Sequence, residues 1–138
     1  MDEKLGLVYV PLGTQGADIW GGNRKPDMER YDSAIVALDL ETGKLRWSYQ
    51  NVHHDLWDMD FPSQASLVDV TTAGGIVPAI YVPAKTGNIF VLDRRNGKLI
   101  VPAPETKVPG GPAPGDYLAP TQPFSDLSFR PRKRLTGA

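Results

Sequence analysis

The chain contains no cysteine. Disulfides, thiolate metal sites and cysteine nucleophiles are therefore excluded, although this absence chooses no compartment. Histidine is scarce as well: two in 138 residues, both in one short stretch. Zinc chemistry needs three or four nitrogen, sulfur or oxygen ligands in a compact shell, so a small zinc hydrolase fails on ligand count. No Gly-x-Ser-x-Gly and no P-loop occurs, which leaves acyl and phosphoryl transfer without a signature. No apolar run approaches the ~20 residues of a membrane span. Met1-Asp2-Glu3-Lys4-Leu5-Gly6 is no signal peptide; if the full protein carries a targeting or membrane segment, this chain is expected to lack it. Net charge is only −1, so nothing global draws the chain to nucleic acid or an anionic membrane.

What is abundant is glycine, 14, and proline, 13, together well above average usage. That excess predicts a turn-rich all-β chain with long loops. Leu7-Val8-Tyr9-Val10-Pro11 reads as a short strand. Residues 13–32 form a long polar loop containing Trp20 and Gly21-Gly22-Asn23-Arg24, long enough to be functional. Ser33–Gln50 reads as a hairpin, with Gly43 supplying the positive φ of its turn. In its second arm Leu45, Trp47 and Tyr49 alternate with Lys44, Arg46 and Ser48, the half-buried strand pattern.

The hairpin recurs. Ile35–Leu45 aligns with Ile89–Leu99, 54 positions on, with six of eleven pairs identical. Ala65–Val70 and Ala79–Pro83 are two further strand candidates between the copies. A hairpin repeating with two extra strands per unit is the signature of propeller blades; two ordinary hairpins with shared turn chemistry are the plainer alternative. Residues 1–61 are expected to form a first blade segment, 62–104 a second, and 105–138 an extended loop and tail. The segment from Pro102 to Pro123 is too rich in proline for ladder hydrogen bonds. The basic tail, Phe129-Arg130-Pro131-Arg132-Lys133-Arg134, reads as a solvated end rather than a nucleic-acid patch. Two blades cannot close a ring, so the chain is expected to be a segment of a longer propeller.

The candidate chemistry concentrates in Val52-His53-His54-Asp55-Leu56-Trp57-Asp58-Met59-Asp60. Neighbouring residues of an extended strand face opposite ways, so His53 and His54 are not expected to ligate one ion together. A hard cation accepts carboxylates, amides and hydroxyls; Asp18, Asn23, Asp55, Asp58, Asp60, Thr86, Asn88 and Asp126 could contribute, or serve as turn residues. Trp57 alone reads as a packing tryptophan. With acids and histidines around it, it suits a flat, anionic, conjugated ligand.

Ala37-Leu38-Asp39-Leu40-Glu41-Thr42-Gly43-Lys44-Leu45-Arg46-Trp47 resembles the tryptophan-docking motif of the pyrroloquinoline quinone (PQQ) dehydrogenases. In that family the motif's tryptophan packs against the next blade. The second copy keeps Asp93 and Gly97 but has Val101 in place of the tryptophan. Asp18–Arg24, Val52–Asp60, Pro83–Gly97 and Thr121–Phe129 further resemble the membrane-bound quinoprotein glucose dehydrogenases, and the resemblance covers nearly the whole chain. It implies two blades or so of an eight-bladed quinoprotein β-propeller, with PQQ and a divalent cation (Ca2+ or Mg2+) near its axis. It also implies oxidation of the C1 hydroxyl of an aldose such as glucose to the lactone. Electrons would pass to ubiquinone through a membrane domain absent from this chain, at the periplasmic face of the inner membrane. The family's proton-accepting aspartate would fall, by motif position, at Asp126. Thr86 and Asp18 are its candidate cation ligands, and Trp57, His53, His54, Asp55 and Asp58 would belong to the cofactor and substrate cavity. Its PQQ-contacting lysine is expected beyond Ala138. The rival reading is a non-catalytic PQQ-like propeller scaffold, which has no reason to keep an acid- and histidine-rich loop or a proline-rich crossing loop.

Overall fold

The computed structural model describes residues 1–129; the basic run Arg130–Arg134 lies outside them. Its first sheet holds β1 (Leu7–Pro11), β2 (Ala34–Asp39) and β3 (Leu45–Gln50), antiparallel in that order. Between β1 and β2 the long loop contains α1 (Pro26–Arg30), one turn with proline at its start, where proline costs no hydrogen bond. The second sheet holds β4 (Ser66–Thr72), β5 (Gly75–Pro83) and β6 (Ile89–Asp93), again antiparallel in chain order. Both repeated turns have glycine in the left-handed region, Gly43 at φ 67° and Gly97 at φ 73°.

The two sheets share one core. Ile35 and Ala37 of β2 meet Ile80 and Val82 of β5 and Phe90 and Leu92 of β6. The period of two in these pairs puts them on the inner faces. Tyr49 lies 5.2 Å from the Phe90 ring, and Phe61 stands edge-on to Phe90 at 6.0 Å.

Trp47 closes the join between the units. It is 8% exposed and donates from Nε1 to the Arg94 carbonyl at 3.1 Å. The same carbonyl accepts the Tyr9 hydroxyl at 3.0 Å, and the two rings lie 5.7 Å apart. A Cβ on Gly97 would fall 2.8 Å from the indole. The glycine of the second turn is thus both a backbone requirement and a seat for the tryptophan of the first.

The strand pattern departs from the sequence expectation in two places. The second unit's fourth strand shrinks to a single bridge, Leu92 with Leu99, beyond which the Ile100 and Val101 amides both donate to the Val91 carbonyl. The proline-rich segment, in turn, is not all loop. β7 (Glu105–Lys107) pairs with β8 (Thr121–Pro123), Glu105 opposite Pro123 and Lys107 opposite Thr121. The Glu-Thr-Lys triplet keeps its amides between prolines, and Pro123 sits at an edge where it need not donate.

Candidate functional site

A cavity of about 300 Å³ opens where three segments converge. The loop after β3 contributes Asn51, Val52, Trp57 and Met59; the β5–β6 turn contributes Lys85, Thr86 and Asn88; β8 and its end contribute Gln122, Pro123 and Phe124. Each segment is fixed by its own hydrogen bonds. Asp55, wholly buried, accepts from Ser33 Oγ (2.6 Å), Thr14 Oγ1 (2.8 Å) and the amides of Trp57 (2.9 Å) and Met59 (2.7 Å). Asn51 Nδ2 closes the loop onto the Met59 carbonyl at 2.9 Å. In the β5–β6 turn Asn88 Nδ2 donates to Thr86 Oγ1 at 2.8 Å, and the Ser125 amide donates to Asn88 Oδ1 at 3.1 Å. Gln122 and the His53 backbone exchange two hydrogen bonds, 2.7 and 2.8 Å.

These anchors leave Trp57 half exposed, 52%, on the cavity wall. Packing is done by Trp47; Trp57 offers a free indole. Opposite in character is Lys85, whose ammonium touches Asp58 Oδ2 and Asp60 Oδ1, both at 2.8 Å. These two carboxylates, Asp58 first, push the Lys85 ammonium above the usual lysine value.

The histidines sit in a turn, not a strand: His54 has φ 49°. The strand argument for their divergence therefore lapses, yet the rings do diverge. His53 reaches Gln50 Oε1 (2.8 Å) and Glu105 Oε1 (2.9 Å). His54 lies buried between Glu29 Oε1 (3.0 Å) and Asp116 Oδ1 (2.9 Å), stacked on Tyr117 at 3.7 Å. Burial alone would raise Asp116, but the Gly21 amide and His54 outweigh it and hold its carboxyl below the ordinary value. This clamp ties the proline-rich crossing loop to the loop that precedes β2. Gly21 fits against it so closely that a Cβ would lie 2.4 Å from His54 Cε1. Gly21→Ala is expected to cost about 1–3 kcal/mol, read as a lowered thermal midpoint; Gly16→Ala, with nothing within 4 Å, serves as the control.

Of the residues singled out by sequence, Trp57 and Thr86 line the cavity and Asp58 pairs with a lining residue. His53, His54 and Asp55 are not in the lining; they hold the segments that are. Asp18 is exposed and outside the lining. Asp126 is exposed too, two residues past Phe124, with its amide bonded to the Pro102 carbonyl at 2.9 Å. Among the described residues no group of three or more His, Asp or Glu is placed to hold a metal ion. Lys85 escaped the sequence reading. A single lysine has no spacing signature, and its partners lie 25 and 27 positions earlier in another loop; the one available hint was its place in Pro83-Ala84-Lys85-Thr86-Gly87.

The donor set fits a flat anionic quinone. An indole face can stack on it, an ammonium can meet its oxygens, and amides and a hydroxyl can fix its orientation. Thr86 and Asn88 supply oxygens of the kind a hard cation accepts.

The whole chain, residues 1–138, matches the family described as "PQQ: Glucose/ethanol/alcohol dehydrogenase, beta-propeller domain". It is 68% identical over 137 residues to the quinoprotein glucose dehydrogenase of Escherichia coli, covering 99% of this chain and 17% of that protein. The quinoprotein glucose dehydrogenase of Gluconobacter oxydans is 64% identical over 97% of this chain and 17% of its own length. Among solved structures, the quinohemoprotein alcohol dehydrogenase of Comamonas testosteroni superposes with a TM-score of 0.64 at 34% identity, over 91% of this chain and 18% of that one. The chain thus spans about a sixth of the length of the curated relatives it matches, and its two sheets are part of a propeller. It belongs to the PQQ-dependent glucose/ethanol/alcohol dehydrogenase family, as a segment of that family's β-propeller domain.

Proposed function

We propose that this chain is the part of a PQQ-dependent glucose dehydrogenase that supplies one wall of the cofactor and substrate cavity. The observation that carries the reading is the exposed Trp57 face beside the Lys85–Asp58 pair in one cavity. PQQ, when bound, supplies a two-electron acceptor, with a divalent cation (Ca2+ or Mg2+) polarising its carbonyl. Trp57 packs on the planar ring, Lys85 meets negative oxygen, and Thr86 is the cation ligand candidate from this segment, with Asp18 the second. A carboxylate near the reacting C1 hydroxyl takes its proton as the aldose, glucose in the first instance, goes to the lactone.

Two aspartates compete for that role. Asp126 is the motif-based candidate. Asp58 is favoured by reach, because a base must lie within hydrogen-bond distance of the proton it removes, and Asp58 pairs with the lining residue Lys85 whereas Asp126 lies outside the lining. Electrons pass on to ubiquinone through a membrane domain outside this chain, at the periplasmic face of the inner membrane. Among the described residues no helix is long and apolar enough to cross a membrane.

The test is reconstitution of the full-length apoprotein with PQQ and a divalent cation, followed by glucose-dependent dye reduction. Dye reduction that needs all three supports the reading. PQQ binding without turnover of any sugar or alcohol favours the scaffold alternative instead.

A further inference from the structure

Lys85 faces two carboxylates that are not equivalent. Asp60 is buried, its side chain 12% exposed, whereas that of Asp58 is 53% exposed. Asp60 holds Lys85 twice: Oδ1 meets the ammonium at 2.8 Å, and its carbonyl accepts the Lys85 amide at 3.1 Å. Its other carboxylate oxygen accepts the Thr14 amide at 3.3 Å and lies against Gly13, where a Cβ would come within 3.1 Å. Asp58 touches Lys85 through its side chain alone, from a backbone at φ 55°. One ammonium between two carboxylates leaves an excess negative charge at the cavity. An anionic ligand that binds Lys85 must therefore displace one of them.

We propose that Asp60 is the positioning residue that keeps the Lys85 ammonium in the cavity, and that Asp58 is the exchangeable partner that gives way to the ligand. The inference rests on the reading of this cavity as the PQQ site. Asp60 stays because it is buried, ion-paired through Oδ1 and hydrogen-bonded through Oδ2; Asp58 leaves because water replaces its single contact at little cost. The exchange also frees Asp58 from its cation as the ligand arrives.

The experiment uses the full-length apoprotein, with PQQ affinity read from tryptophan fluorescence quenching. Asp60→Asn is expected to weaken PQQ binding about 10- to 100-fold, the range for loss of a charge-assisted contact. Asp58→Asn is expected to stay within about threefold of wild type or to bind tighter. In a Lys85→Gln background Asp60→Asn is expected to add nothing, since Asp60 acts through Lys85. Asp60→Glu, which keeps the charge but shifts it, should fall between wild type and Asn; it carries the test if Asn does not fold, a wild-type affinity then overturning the proposal. Equal losses in the Asp58 and Asp60 variants, or additive losses with Lys85→Gln, also overturn it. A second readout needs no PQQ: acylation of Lys85 by acetic anhydride, followed by peptide mass spectrometry, should rise in the Asp60 variants and much less in Asp58→Asn. If wild type fails to bind PQQ, the cavity reading falls, and unchanged Lys85 labelling in the Asp60 variants would sink the anchor as well.

Discussion

Asp58→Asn in the full-length, PQQ-loaded protein is expected to lower kcat for glucose oxidation by about 10²- to 10⁴-fold, the usual contribution of a general base. Asparagine keeps the shape and tolerates the left-handed backbone at this position (φ 55°), so the change removes the basic oxygen with little strain. Asp126→Asn is expected to leave kcat within about threefold, because its exposed side chain stands outside the cavity lining. Stopped-flow reduction of the bound quinone by glucose separates the two. A slow Asp126 variant beside a normal Asp58 variant would return the role to the motif-based candidate. PQQ affinity measured alongside tells loss of chemistry from loss of cofactor.

Trp47→Ala is expected to cost about 3–5 kcal/mol, the range for emptying a buried tryptophan site. The indole fills the seam between the sheets, and its Nε1 satisfies the Arg94 carbonyl. Deletion leaves a cavity against Gly97 that the left-handed turn cannot close. The effect should be local to the join, so amide hydrogen exchange in β2 and β6 is the measurement. Opening free energies unchanged by more than about 0.5 kcal/mol would show that the tryptophan is not what holds the units together. Gly97→Ala reaches the same seam from the other side, through both its φ of 73° and the 2.8 Å approach to the indole.

The strands were legible because their signals are local. Alternation in Leu45–Tyr49 and the glycines at 43 and 97 each act over a few residues, and repetition made the second copy readable from the first. What stayed hidden depends on contacts far apart in sequence. Glu105–Lys107 became a strand only by finding Thr121–Pro123. His54 acquired its carboxylates from positions 29 and 116, which no spacing rule connects. The acid- and histidine-rich stretch adjoins the cavity, yet its members divide: Trp57 and Asp58 stand at it, while Asp55 and the histidines hold the loop in place. Residue type alone announces a polar cluster; only the fold says which members face inward.

The seat of Trp47 on Gly97 also sets an order of events during synthesis. The two positions are about 50 residues apart, so the indole has no docking place until the second turn has left the ribosome. At roughly 5–20 residues per second, the first hairpin waits some 3–10 s with an uncovered tryptophan. In that interval the nascent chain offers a sticky aromatic to chaperones or to a neighbouring nascent copy. Slow codons between the two turns would lengthen the exposure, and fast ones would shorten it.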